Sequence, residues 1–159
     1  MKRVLALLVL VVAGAVAAGV ALADRGGGHD QGKGHRGKVV HVIEHATTDA
    51  VTNEGNGAGD AVGDVLTFTN DVFDRTNSTK VGSDQGYCVR LIVGQSWECV
   101  WTTFLSGGQL TVEGPFYDTK DSLLAVTGGT GKYANVRGWM ALKSRAGGTQ
   151  FDFIFHLIG

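Results

Sequence analysis

The stretch GYCVRLIVGQSWECVW, residues 86–101, decides the fold. It places β-branched and aromatic residues on both sides of Gly94-Gln95, a connection too short for a parallel crossover, so the two runs must pair as an antiparallel hairpin. One register sets Cys88 opposite Cys99 and Arg90 opposite Trp97. Opposed cysteines can bridge when their Cα atoms lie close together, as in a non-hydrogen-bonded pair. Arg90 over Trp97 is a cation–π contact, expected to be structural. Both faces of the hairpin are apolar: Tyr87, Val89, Leu91, Val93, Val100 and Phe104 on one, and Cys88, Ile92, Trp97, Cys99 and Trp101 on the other. One face predicts a core. The other predicts a subunit interface, as in a homo-oligomer.

The same grammar extends in both directions. Short runs of period two, separated by Gly, Asn and Asp, predict strands at 38–45, 64–73, 84–93, 97–106, 108–114, 121–127, 136–144 and 149–158. Eight such strands with short connections predict an all-β, closed antiparallel barrel. Pro115 is expected just after a strand, where its missing N–H does least damage. Residues 46–63 read as a long glycine-rich loop able to cover one mouth of the barrel.

The N-terminal residues belong to a different class. Met1-Lys2-Arg3 precedes an apolar run over residues 4–23 that ends in Ala21-Leu22-Ala23. A basic start, an apolar stretch and a small-residue site predict a cleaved signal peptide at 1–23, and hence a secreted protein. The length of the run also suits an uncleaved membrane anchor, but no stop-transfer charges follow it. Residues 24–38 are glycine and charge with no apolar side chain, which predicts a flexible linker; its His29 and His35 form no metal-ligand pattern. The barrel domain then occupies 39–159. Cleavage removes Lys2 and Arg3 and none of the 15 acidic side chains, so the remainder is mildly acidic. That balance argues against nucleic acid or an anionic membrane surface as partner. Export makes a Cys88–Cys99 disulfide the expected state.

Parity places polar groups in the interior. One face of the 64–73 strand reads Leu66, Phe68, Asn70, Val72, an apolar row holding one amide. The first strand reads Val40, Val42, Glu44 on one face. Glu44 is either an internal acid, with its pKa raised by desolvation, or a rim residue bonded to solvent or a loop. Other signals fail. Gly128-Gly129-Thr130-Gly131-Lys132 lacks the spacing of a phosphate loop and opens no helix. No nucleophile elbow is present, and His41, His45 and His156 lack companions for a metal site. Asn77-Ser78-Thr79 matches a glycosylation acceptor, a pattern common by chance.

Four phrases carry a family likeness: GDVLTFTN at 63–70, GYCV at 86–89, LTVEGPF at 110–116 and LAVTGGTGKY at 124–133. In this order they resemble allene oxide cyclase, and the last, with Gly138, is also similar to the dirigent proteins. The resemblance implies an eight-stranded calycin-type barrel with an apolar cavity, a trimeric assembly and no cofactor. In the family, cyclisation of an unsaturated fatty-acid epoxide uses a glutamate to stabilise developing positive charge and polar groups that hold a water at the epoxide oxygen. Glu44 matches that glutamate and Asn70 an asparagine of the water site. Phe116 stands where plant enzymes have a pocket tyrosine, and Cys88 matches a cavity cysteine. Ala46 replaces a second asparagine, and Gly55 stands near the position of a loop proline.

Together these readings name Glu44 and Asn70 as the candidate catalytic pair and Phe68, Trp101 and Phe116 as ligand contacts, with no metal site. The expected partner is an apolar small molecule. The expected function is that of an exported, cofactor-free cyclase or isomerase. The alternatives are a non-catalytic dirigent-like or lipocalin-like binding protein, or a structural domain with a filled interior. A cavity of several hundred cubic ångströms (roughly 300 Å³ or more) containing Glu44 favours the first two, and a barrel filled by side chains counts against both.

Overall fold

The computed structural model describes residues 37–53 and 59–159. The signal segment and nearly all of the linker, with His29 and His35, lie outside the described residues, as does Gly55.

Among the described residues nine strands follow one another: β1 (Lys38–His45), β2 (Ala50–Thr52), β3 (Val65–Asp74), β4 (Lys80–Ile92), β5 (Ser96–Leu105), β6 (Gly108–Tyr117), β7 (Ser122–Gly129), β8 (Arg137–Arg145) and β9 (Gln150–Ile158). Neighbours pair in the order β1-β9-β8-β7-β6-β5-β4-β3, and β1 pairs back onto β3 to close an eight-stranded antiparallel barrel. Closure leaves no long edge open to another chain. The seam is shared. β1 pairs with the C-terminal part of β3, and short β2 pairs with its first residues.

Strand β2 lies inside the stretch expected to be loop throughout; three residues are too few for period two to register. β4 begins at Lys80, four residues earlier than expected, because Gly82 and Gly86 interrupt the apolar pattern there. Gly86 has a steric reason. It faces Trp101 across the β4–β5 pair, and a Cβ at 86 would run into the Trp101 Cβ and backbone. Pro115 lies within β6, paired with Glu98, and not after it. The β6–β7 ladder runs only from Leu110 to Glu113, so Pro115 sits where β6 no longer pairs with β7. Ile92 is half exposed and not on the inward face, because the β4–β5 register shifts between Arg90 and Ile92.

Alternation fills the interior with one side-chain set per strand. Val42, Val72, Trp101, Leu110, Val112, Leu124, Val126, Met140, Phe153, Phe155 and Leu157 form its apolar core. The β7–β8 connection turns through a short 3-10 segment (Gly131–Tyr133) and lays buried Tyr133 and Val136 into that core. The opposite mouth is surrounded by the loop after β1, the β6–β7 turn and the start of β9. Cys88 and Cys99 form the disulfide, their Cα atoms 4.0 Å apart in direct opposition.

Candidate active site in the barrel

Glu44 is the last inward residue of β1 and is 5 % exposed. Parity alone left it inside or at the rim; the chain places it inside, below the mouth. Asn70, on β3, lies directly opposite Asp84 on β4. Both are fully buried. The chain leaving β1 folds over them. Thr48 Oγ1 accepts from the Thr69 N–H at 2.8 Å and contacts the Thr69 carbonyl at 2.8 Å, which holds residues 47–49 against β3.

This packing defines the orientation of Asn70. Its Oδ1 accepts the backbone N–H groups of Thr47 and Thr48, each at 3.0 Å. Those groups can only donate, so Nδ2 must point the other way. It donates to Glu44 Oε1 and Asp49 Oδ1, both at 2.8 Å. The Asn70 N–H meets Asp84 Oδ1 at 3.2 Å. One residue thus organises three carboxyl groups, two through its side-chain amide and one through its backbone N–H.

Two of those carboxyls hold protons far above their ordinary range. Burial is the main cause lifting Glu44 to about 7, with the Asp49 charge adding to it and the Asn70 hydrogen bond opposing it. Burial, then the Glu44 charge, lifts Asp84 to about 9. Among the described residues Asp84 Oδ2 meets no nitrogen or hydroxyl donor. The group it faces is the Glu44 carboxyl, so the two are joined when one proton lies between them. Near neutral pH Asp84 keeps its proton and can hydrogen-bond through it to a Glu44 carboxylate. Glu44, lifted to about 7, is there divided between acid and carboxylate, and its buried carboxylate form is poised to take up a proton or to stabilise positive charge.

The cavity against Glu44 is small, ≈ 40 Å³, room for about three waters. Its walls include Phe68, Trp101 and Phe116 together with Leu66, Leu142, Phe151 and Phe153, and the disulfide forms one side. Phe68 meets Trp101 edge on, with ring centroids 6.0 Å apart, and Trp101 meets Phe153 at 5.4 Å. The space of several hundred cubic ångströms expected around Glu44 lies instead at the mouth, in a basin of ≈ 420 Å³ that Glu44 does not line. Aromatic rings from four strands fill the difference.

Arg90 stands at this mouth, 7 % exposed. Its guanidinium lies 3.9 Å from the Trp97 ring centroid, donates from Nε to Asp60 at 2.6 Å and from one terminal nitrogen to both oxygens of Asp118 at 2.7 and 2.9 Å. It fastens two mouth loops to β4.

The residues missed by sequence reasoning are Asp49, Asp84, Leu66, Leu142, Phe151 and Phe153. Asp84 had a usable signal: it shares parity with Cys88 and falls opposite Asn70 once β3 and β4 are paired. Asp49 had none, since its position depends on a loop. Among the described residues no group of His, Cys, Asp and Glu could hold a metal ion.

The model of the allene oxide cyclase family matches residues 39–159, the whole barrel. Solved structures share the fold. A pyocyanin demethylase is 24 % identical with a TM-score of 0.66, the match covering 76 % of this chain and all of that one. The pterocarpan synthase dirigent protein PsPTS1 is 21 % identical with a TM-score of 0.60, over 77 % and 97 %. AbnU, an exo-specific intermolecular Diels–Alderase, is 15 % identical with a TM-score of 0.63, over 77 % and 98 %. Through the family match across its complete barrel, this chain belongs to the allene oxide cyclase family.

Proposed function

We propose that the protein is an exported, cofactor-free cyclase or isomerase that steers an apolar small molecule within the barrel. The observation that carries this reading is Glu44: a buried carboxyl lining an aromatic cavity, oriented by Asn70 and lifted to about 7 chiefly by burial. As a carboxylate it would stabilise positive charge developing on the ligand, and as an acid or base it would move one proton. A preformed, mostly apolar site strengthens either effect, and close walls restrain the ligand to few conformations. The pyocyanin demethylase, the dirigent protein and the Diels–Alderase of the same fold support a small organic molecule as ligand. Export is supported by residues 1–23 and by the disulfide. A homo-oligomer is supported by the exposed row Tyr87, Leu91, Val93 on the outer face of the β4–β5 hairpin.

The narrowness of the inner cavity favours a second reading, a structural domain whose interior is filled by side chains, while the wider mouth leaves room for a barrel that binds a ligand without transforming it. Mass spectrometry of the secreted protein, and of any apolar compound that copurifies, supplies the ligand and shows whether residues 1–23 are removed. With that ligand, Glu44→Gln is expected to lower turnover by about 10²-fold or more while affinity changes only a few-fold. Wild-type protein that binds but never converts the compound would sink the enzymatic reading. Retention of residues 1–23 by the secreted protein would sink the cleaved-signal reading.

A further inference from the structure

The inner cavity and the mouth basin share three walls, Phe116, Leu142 and Phe151. Inside there are ≈ 40 Å³, and outside ≈ 420 Å³. Only the outer volume reaches the roughly 300–1,000 Å³ usual for a small-molecule site. A ligand that reaches Glu44 must therefore leave most of its atoms in the basin. The partition is aromatic. Phe116 and Phe151 meet edge to face, with centroids 5.8 Å apart and planes at 81°, and Tyr117 extends the ring surface outward. Such walls favour another ring in offset or edge contact. A flexible saturated chain would fill the same volume but lose rotor freedom and gain no ring contact.

The charges around the basin already have partners. Asp118 takes two hydrogen bonds from Arg90, Asp121 lies 3.8 Å from Lys143 Nζ, and Lys120 Nζ sits 4.1 Å from the Tyr117 ring centroid. A charged ligand body would have to compete with these contacts. An uncharged one leaves them intact.

We propose that the mouth basin binds the body of the ligand, an uncharged planar aromatic molecule of about two or three rings, and that only a small substituent passes between Phe116 and Phe151 towards Glu44. The proposal rests on the reading of the barrel as a small-molecule site and specifies which molecules it takes. It requires no turnover, so binding can fail while catalysis stands, and catalysis can fail while binding stands.

The test is a fluorescence titration of the exported protein with N-phenyl-1-naphthylamine, an uncharged two-ring probe with one pendant ring. We expect one probe per chain with a dissociation constant on the order of micromolar. Ser144 and Thr119 are exposed at the basin. Ser144→Trp and Thr119→Trp should each weaken binding about tenfold or more without moving the thermal midpoint, by filling the space the probe needs. Dodecanol, a saturated chain, should displace the probe only at about tenfold higher concentration than naphthalene does. The proposal is overturned if the wild-type chain does not bind the probe, if both tryptophan variants bind it as the wild type does, or if dodecanol displaces it as readily as naphthalene.

Discussion

Asp84 is the residue whose chemistry departs furthest from its sequence context. It is an ordinary strand aspartate until β3 and β4 pair, and then it is fully buried beside Glu44. Both carboxyls keep their protons in the folded chain at pH values where the unfolded chain, with ordinary values near 4, has lost them. The sign follows from linkage. The folded state binds more protons across that window, so the stability contributed by the pair is complete below about pH 4 and is lost as pH rises through 7 towards 9. Asp84→Asn keeps the shape and a donor for Glu44 but removes one titration. Urea unfolding at pH 5, 7 and 9 should show the wild type weakening with pH and the variant falling less steeply, by up to about 1.4 kcal/mol per pH unit. Parallel curves would mean that Asp84 titrates normally. Glu44 and Asn70 were singled out in the sequence because a polar residue in an apolar alternating row is conspicuous. Asp84 follows Ser83 in a polar, glycine-interrupted stretch, where alternation offers no contrast.

At the scale of elements, the hairpin 86–101 specified most of the fold because its register is dictated by a short turn and two opposed cysteines. The eight barrel strands were legible for the same reason: period two survives wherever one face is buried. It faded at β2, at the first residues of β4 and around Pro115, where pairing is one-sided or glycine replaces side chains. The mouth loops were the least legible, since they are positioned by Arg90 through contacts distant in sequence. Arg90→Ala should release Asp60 and Asp118 together. Because both acids are partly exposed, at 33 % and 23 %, we expect a stability loss of about 2 kcal/mol and not the full penalty of a buried pair. Limited proteolysis should then cut the 59–64 segment faster than in the wild type. An unchanged cleavage rate would show that the guanidinium does not fasten that segment.

For the whole molecule, the closed barrel removes long open edges and leaves side-chain patches as its means of association. Tyr87, Leu91 and Val93 are each about half exposed, at 51, 52 and 47 %. If the proposed homo-oligomer uses this row, Leu91→Glu should shift the sedimentation coefficient to that of a monomer; a wild type that already sediments as a monomer would exclude it. The interior is organised along its length, with a tightly packed far end, a small cavity at Glu44 and a wide basin at the mouth. The function proposed for this arrangement depends above all on Glu44 and Asp84 sharing a proton inside the barrel. Titration of their side-chain carboxyl carbons by ¹³C NMR measures that directly. The account predicts that neither group titrates fully near its ordinary value, with Glu44 changing near pH 7 and Asp84 near 9. Two independent transitions near pH 4 would contradict it.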